Sequence, residues 1–218
     1  MIVVSKAAET TGRTLRNDKE TLQQSKDEEY AYWQSRAPAE RLAAMQELSL
    51  AFFEEPAAMK LKLGADFCAL LSAFHASDVK YLIIGGWAVS IHAQPRATLD
   101  MDIFVSPDKT NLEAVYDALL RFGAPLKNMD KRQFMEPGTY LRFGAPPSQV
   151  DIFPAIPGVE FEACWPNRVA VTVHAEKSLL ANFISAKDLI AAKIASGREQ
   201  DIADVQAIRR AQQQKGKT

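Results

Sequence analysis

Residues 81–105 read YLIIGGWAVSIHAQPRATLDMDIFV, and this stretch decides which fold the sequence predicts. A short apolar run ends at Gly85 and Gly86, an apolar helical segment follows, and a second apolar run contains Asp100 and Asp102. Aspartate is depleted from strands, and side chains two residues apart on a strand lie on the same face. Two carboxylates held side by side repel each other. The pattern therefore predicts a positively charged partner beside this strand.

Helical and strand patterns alternate on both sides of this stretch. Helices are predicted at residues 65–77, 106–123, 185–195 and 198–214, and strands at 139–144, 148–154 and 169–175. Residues 159–168 predict a short helix or turn. This alternation predicts an α/β or α+β domain with one mixed β-sheet flanked by helices.

The first quarter of the chain differs from the rest. Residues 54–64, with a proline, several charges and a glycine, predict a boundary. We therefore expect an N-terminal helical extension, partly flexible, over residues 1–58 and one domain over residues 59–218. The extension contains an apolar stripe at helical spacing, formed by Leu42, Met45, Leu48 and Phe52. This stripe predicts that residues 30–55 dock on that domain or on a second copy of the chain.

Composition excludes several classes of protein. A formal net charge of −1 gives no global basic field for nucleic acid. The 3 histidines and 2 cysteines have no zinc-ligand spacing, and Walker A, G-x-G-x-x-G and G-x-S-x-G motifs are absent from the sequence. No apolar run reaches membrane-spanning length and no signal peptide is visible, so we expect no membrane partner and a cytoplasmic location.

A third carboxylate, Asp151, lies inside the apolar run QVDIF. If its strand neighbours that of Asp100 and Asp102, all three carboxylates meet on the sheet. Oxygen ligands without histidine or cysteine suit a hard cation such as Mg²⁺, which commonly binds through few carboxylates plus substrate phosphates. Gly85 and Gly86, between a strand and a helix, permit close approach of a phosphate to the backbone and to the helix N-terminus.

The glycine turn, the Asp-x-Asp strand and the later carboxylate together resemble the polymerase-β-type nucleotidyltransferase superfamily. Residues 142–165 and 185–208 further resemble a small bacterial subgroup related to abortive-infection and toxin–antitoxin nucleotidyltransferases. The resemblance implies a mixed sheet flanked by helices and transfer of a nucleoside monophosphate from a nucleoside triphosphate, assisted by two Mg²⁺ ions. It leaves the acceptor open.

The resemblance also implies roles for individual residues. Asp100 and Asp102 would hold the metals that bind the triphosphate, and Asp151 would hold the metal next to the attacking hydroxyl or take its proton. The remaining candidates would bind the nucleoside triphosphate, and they are Gly85, Gly86, Arg96, Thr98 and Lys193. For Arg96 the alternatives are a pair with Asp102, a contact with phosphate, or neither; for Lys193 the alternative is a solvated helix lysine.

Three functions remain open from the sequence. The first is a Mg²⁺-dependent nucleotidyltransferase with a protein or RNA acceptor, as a toxin–antitoxin component with residues 1–58 as the restraining element. The second is a catalytically silent binding module with the same fold. The third is a nucleotidyltransferase for a small molecule of the antibiotic type.

Overall fold

The computed structural model of the chain describes residues 3–5, 65–93, 98, 100–126, 129–131, 139–144, 149–174 and 179–215. Its strands are β1 (Val3–Ser5), β2 (Tyr81–Ile83), β3 (Asp100–Val105), β4 (Tyr140–Phe143), β5 (Gln149–Phe153), β6 (Val169–His174) and β7 (Leu179–Phe183). Its α-helices are α1 (Ala65–Ala76), α2 (Gly85–His92), α3 (Lys109–Phe122), α4 (Phe161–Cys164), α5 (Ala186–Ser196) and α6 (Glu199–Lys215). A 3₁₀ turn, Trp165–Asn167, follows α4.

The strands of the described residues form one mixed sheet in the order β1-β4-β5-β3-β2-β7-β6. Strand β3 is parallel to β5 and antiparallel to β2, and β2 is in turn parallel to β7. The pairs β1–β4, β4–β5 and β6–β7 are antiparallel. This arrangement confirms the predicted class of a mixed sheet with flanking helices.

The centre of the sheet positions the acidic residues. Every residue of β3 is buried, and in β5 only Gln149 is partly exposed. The register places Asp102 of β3 directly opposite Asp151 of β5. Paired residues of neighbouring strands project to the same face of a sheet, so this register brings the two carboxylates together.

Helices begin and end where local sequence satisfies their terminal backbone groups. At the start of α3, Asp108 accepts hydrogen bonds from the backbone N–H groups of Thr110 and Asn111, so the helix begins slightly later than the predicted residue 106. At the start of α5, Ser185 caps the N–H of Asp188. Helix α1 packs on α3 and β7, and α2 contacts β3, α5 and α6.

Two strands were not anticipated from the sequence. Strand β7 separates β2 from β6, and its inward residues are buried in the sheet. Strand β1 pairs with β4, so residues 3–5 belong to the sheet, where the sequence predicted no strand. The other residues of the predicted extension, including the stretch 30–55 proposed for docking, lie outside the described residues.

Within the described part of the chain, no helix combines the length and apolar character needed to cross a bilayer.

Candidate active site

The three predicted carboxylates lie together in the middle of the sheet. Asp100, Asp102 and Asp151 each offer one carboxylate oxygen, and these atoms lie within 4.8 Å of one another. The three residues are 2 %, 8 % and 0 % exposed, respectively. Buried carboxylates this close repel one another strongly in a low dielectric. The cluster therefore needs positive charge to exist in its ionised form.

Arg142 of β4 provides part of that charge. Its Nε donates to Asp151 Oδ1 at 2.7 Å, and its Nη2 donates to Asp151 Oδ2 at 2.6 Å. Burial opposes the charged guanidinium, but the hydrogen bonds and charge of Asp151, with smaller effects from Tyr140 and Asp100, raise the pKa of Arg142 above its ordinary value. Sequence reasoning missed this residue, although a charged residue inside the apolar run YLRF is the same signal that identified Asp151.

The glycine turn lies against the carboxylates. Gly85 has a φ of +61°, and a Cβ at this position would lie 1.9 Å from Asp102 Oδ2. A Cβ at Gly86 would lie 2.7 Å from both Cβ and Oγ1 of Thr98. The turn can approach Asp102 and Thr98 this closely only because Gly85 and Gly86 have no side chains.

Thr98 holds one of the carboxylates in place. Its Oγ1 donates to Asp100 Oδ1 at 2.8 Å. The structure thus gives Thr98 a contact within the acidic cluster, and binding of triphosphate by this residue stays a prediction. Arg96, the other candidate in this loop, lies outside the described residues.

Lys193 lies in a buried ionic cluster between α5 and α6. Its Nζ donates to Asp201 Oδ1 at 2.8 Å and to Asp204 Oδ2 at 2.7 Å. Arg198 also pairs with Asp201, through a 2.6 Å hydrogen bond from Nε to Oδ2. Burial would raise the pKa of Asp201, but the hydrogen bonds and charges of Arg198 and Lys193 outweigh it and lower that pKa below its ordinary 3.8.

This cluster is electrostatically linked to the acidic site. Although burial opposes its charge, Arg198 has a raised pKa, chiefly because of Asp201, with further contributions from Asp102 and Asp204. Helix α6 also contacts α2, the helix that begins at the glycine turn. The charge of Arg198, between α5 and α6, is therefore stabilised in part by Asp102, whereas contact of Lys193 with a triphosphate stays a prediction.

The donor set fits a divalent cation. It contains only carboxylate oxygens, which suit hard ions such as Mg²⁺ and Mn²⁺, and their mutual distances of at most 4.8 Å allow joint coordination. The contact between Gly85 and Asp102 also places a backbone turn beside the cluster, where a phosphate could share the cation. Asp100, Asp102 and Asp151 are therefore a candidate metal centre.

Comparison with known proteins gives similarities to nucleotidyltransferases. The structure is similar to "Crystal structure of lincosamide antibiotic adenylyltransferase LnuA, lincomycin-bound", at 18% sequence identity and a TM-score of 0.43 over 68% of this chain and 97% of that chain. It is also similar to an antigenic nucleotidyltransferase-like protein from Paracoccidioides brasiliensis, at 16% identity and a TM-score of 0.40 over 67% of this chain and 77% of that chain. No curated protein matches the sequence.

A family model covers most of the domain that contains these residues. It is described as "Nucleotidyltransferase of unknown function (DUF6036)" and matches residues 66–213, which include the glycine turn, the three carboxylates and the Lys193 cluster. The chain therefore belongs to this nucleotidyltransferase family.

Proposed function

We propose that the protein is a Mg²⁺-dependent nucleotidyltransferase that moves a nucleoside monophosphate from a nucleoside triphosphate to a hydroxyl group of a protein or RNA acceptor. The observation that carries this proposal is the meeting of Asp100, Asp102 and Asp151 within 4.8 Å, next to a glycine turn. Membership of the nucleotidyltransferase family supports the reaction class.

In the proposed reaction, the acceptor hydroxyl oxygen forms a bond to the α-phosphorus of the triphosphate. The bond from that phosphorus to the oxygen bridging to the β-phosphorus breaks, and pyrophosphate leaves with the bond's electrons. Bound Mg²⁺ would supply Lewis-acid stabilisation of the attacking and leaving oxygens. The hydroxyl proton passes to Asp151 or to solvent.

The chain's own residues orient the reactants. Asp100, Asp102 and Asp151 would hold the metal, with Thr98 fixing the Asp100 carboxylate through its 2.8 Å hydrogen bond. Gly85 and Gly86 would bring backbone N–H groups near the phosphates, because neither carries a side chain to block their approach. Arg96 and Lys193 complete the proposed triphosphate site.

The proposal is tested by incubating the purified chain with each α-³²P-labelled nucleoside triphosphate, Mg²⁺ and cell extract. We expect label in RNA or protein fractions, with the signal lost in excess chelator and in Asp100→Asn. Asp117→Asn, a change at an exposed aspartate of α3, is the matched control and should keep the activity. Transfer that persists in chelator would overturn the metal-dependent mechanism.

The same assay separates the two alternative functions. Label in a small-molecule fraction would support a nucleotidyltransferase of the antibiotic type. Binding of triphosphate without label in any fraction would support a catalytically silent module. The presence of Gly85, Gly86 and all three carboxylates around one site favours turnover, because the carboxylates can hold the metal that the transfer step uses.

We further propose that residues 1–58 restrain the domain, as the restraining part of a toxin–antitoxin-like pair. The support is the apolar stripe in residues 42–52, which needs a surface to cover it. A chain of residues 59–218 should then be more active or more toxic to cells than the full chain. Because this truncation also removes β1, a full chain lacking only residues 2–5 is the matched control.

If both shortened chains behave alike, the loss of β1 accounts for the effect and residues 6–58 have no restraining role. If the chain of residues 59–218 stays unchanged in activity and toxicity, the toxin–antitoxin proposal is wrong, and the proposed chemistry is unaffected.

A further inference from the structure

Arg142 and Asp151 form a close, buried ion pair inside the candidate metal centre. The two residues face each other in the antiparallel register of β4 and β5, so their side chains lie on one face of the sheet. Their side chains are 12 % and 0 % exposed, respectively. Both carboxylate oxygens of Asp151 accept hydrogen bonds from the guanidinium, at 2.7 and 2.6 Å. Such a two-point pair fixes orientation as well as charge.

A metal ion that uses Asp151 must share that carboxylate with the guanidinium. The planar fork of arginine matches the two oxygens of a carboxylate, whereas a divalent cation takes the same oxygens as ligands. Two cations placed on one buried carboxylate also repel each other in a low dielectric. Arg142 and a metal ion therefore compete for the carboxylate of Asp151.

The charge balance of the cluster leads to the same expectation. The carboxylates of Asp100, Asp102 and Asp151 within 4.8 Å carry three negative charges when ionised, and Arg142 contributes one positive charge to them. Among these four groups alone the net charge is −2, which one divalent cation would balance. A second divalent cation would then depend on negative charge that arrives with the triphosphate.

We propose that Arg142 is a positioning residue that holds Asp151 toward the site and competes with divalent cations for its carboxylate. The nucleotide-free protein then loads Asp100 and Asp102 first, and Asp151 becomes fully available to metal when the nucleotide is bound. This inference rests on the proposed function, because it assigns Asp151 to the metal site.

The experiment titrates Mn²⁺ into the nucleotide-free full chain and follows free Mn²⁺ by electron paramagnetic resonance. Arg142→Met removes the charge and keeps much of the side-chain volume, and we expect it to tighten Mn²⁺ binding about tenfold or to add a second bound ion. Arg142→Lys keeps a charge but cannot hold both oxygens, so its Mn²⁺ affinity should lie between those of the wild type and Arg142→Met. Arg121→Met, a change at an exposed arginine of α3, should leave Mn²⁺ binding unchanged.

The nucleotide-transfer assay gives the second measurement. Loss of Arg142 should lower kcat more than it changes KM for the triphosphate, because Asp151 loses its fixed orientation. Thermal melting in chelator identifies variants that fail to fold. If Arg142→Met does not fold, the comparison is made between Arg142→Lys and the wild type. The two proposals fail in different ways. If every folded Arg142 variant binds Mn²⁺ as the wild type does, this inference is overturned. If the wild type transfers no nucleotide, the proposed function is overturned.

Discussion

Asp100 is the carboxylate whose surroundings make its role simplest to test. It accepts a hydrogen bond from Thr98 and lies within 4.8 Å of two other acids. Asp100→Asn keeps the shape of the side chain and removes one negative charge from a repelling cluster, so folding should survive. Substitution of residues that only support metal ligands lowers metal affinity or activity by about 10- to 100-fold. Loss of a ligand itself should therefore lower kcat by about 100-fold or more.

Transfer rates in saturating Mg²⁺ and thermal melting in chelator check this prediction together. We expect Asp100→Asn to melt at or above the melting temperature of the wild type and to have almost no transfer activity. Full activity of Asp100→Asn would show that this carboxylate holds no essential metal.

At the scale of residues, the acids were predictable and their partners were not. Asp100, Asp102 and Asp151 are conspicuous because each interrupts an apolar strand. Arg142 breaks the pattern in the same way, but its importance depends on register. A shift of one residue between β4 and β5 would turn it away from Asp151, and sequence alone does not specify that register.

The geometry of the turn between β2 and α2 depends on Gly85 and Gly86, because neither residue has a side chain. A Cβ at Gly86 would lie 2.7 Å from Thr98, so Gly86→Val should displace Thr98 and disturb its hydrogen bond to Asp100. We expect Mg²⁺-dependent affinity for ATP to fall about tenfold or more, with a smaller effect on the melting temperature.

Gly123→Ala is a control that introduces backbone strain without a steric contact. Gly123 has a positive φ of +88°, which Gly86 does not, and a Cβ there would meet no atom within 4 Å. This substitution should cost about 1 kcal/mol of stability and leave ATP affinity as it is. Equal losses of stability and affinity in Gly86→Val would favour a tight turn without a role in phosphate binding.

The α5–α6 pair predicts how stability responds to acid. The pKa of Asp201 is lowered in the folded chain from 3.8, because Arg198 and Lys193 favour its ionised form over the opposing effect of burial. A lowered folded-state pKa adds stability above the unfolded value, and this contribution is lost as the pH falls through the folded value. The free energy of unfolding should therefore drop as the pH falls below about 3.8.

Urea unfolding of the wild type and Asp201→Asn across this pH range measures the contribution. The variant should be less stable by about 3 kcal/mol at neutral pH, because a buried ion-pair partner is removed, and its stability should depend less on pH. Asp117→Asn, at an exposed pair with Lys131, should change stability by less than about 1 kcal/mol. Parallel pH curves for the wild type and Asp201→Asn would contradict the assignment.

Strongly patterned elements were predictable, and elements defined by distant pairing were not. The Ser185 cap and the apolar periodicity identify α5 from sequence. Strand β7 has the expected alternation of buried and exposed residues, but it is short and was not distinguished from its surroundings. Strand β1 has three residues, and only its pairing with β4, about 140 residues away, makes it a strand.

For the whole molecule, β1 changes which strand lies at the edge of the sheet. It covers one side of β4, the strand that carries Arg142, whereas β6 lies at the other end of the sheet. A chain lacking residues 2–5 leaves β4 with unpaired backbone groups at an edge. We expect faster amide hydrogen exchange at residues 140–143, unchanged exchange at residues 169–174, and a stability loss of about 1 kcal/mol.

Hydrogen exchange read by mass spectrometry compares the two edges within one sample. Equal protection of residues 140–143 in the full and shortened chains would show that β1 does not stabilise β4. Faster exchange at both edges would indicate a general loss of stability instead.

The spacing of Arg142 and Asp151 along the chain matters while the protein is being made. The two residues are only 9 positions apart, whereas Lys193 and Arg198 follow more than 40 residues later. A nascent chain thus releases Asp151 from the ribosome together with its own counter-ion, and adjacent antiparallel strands pair within about 1–10 μs. At about 5–20 residues per second, the C-terminal cations arrive seconds later. We therefore expect the most buried acid of the cluster to be neutralised during translation, before the rest of the domain has left the ribosome.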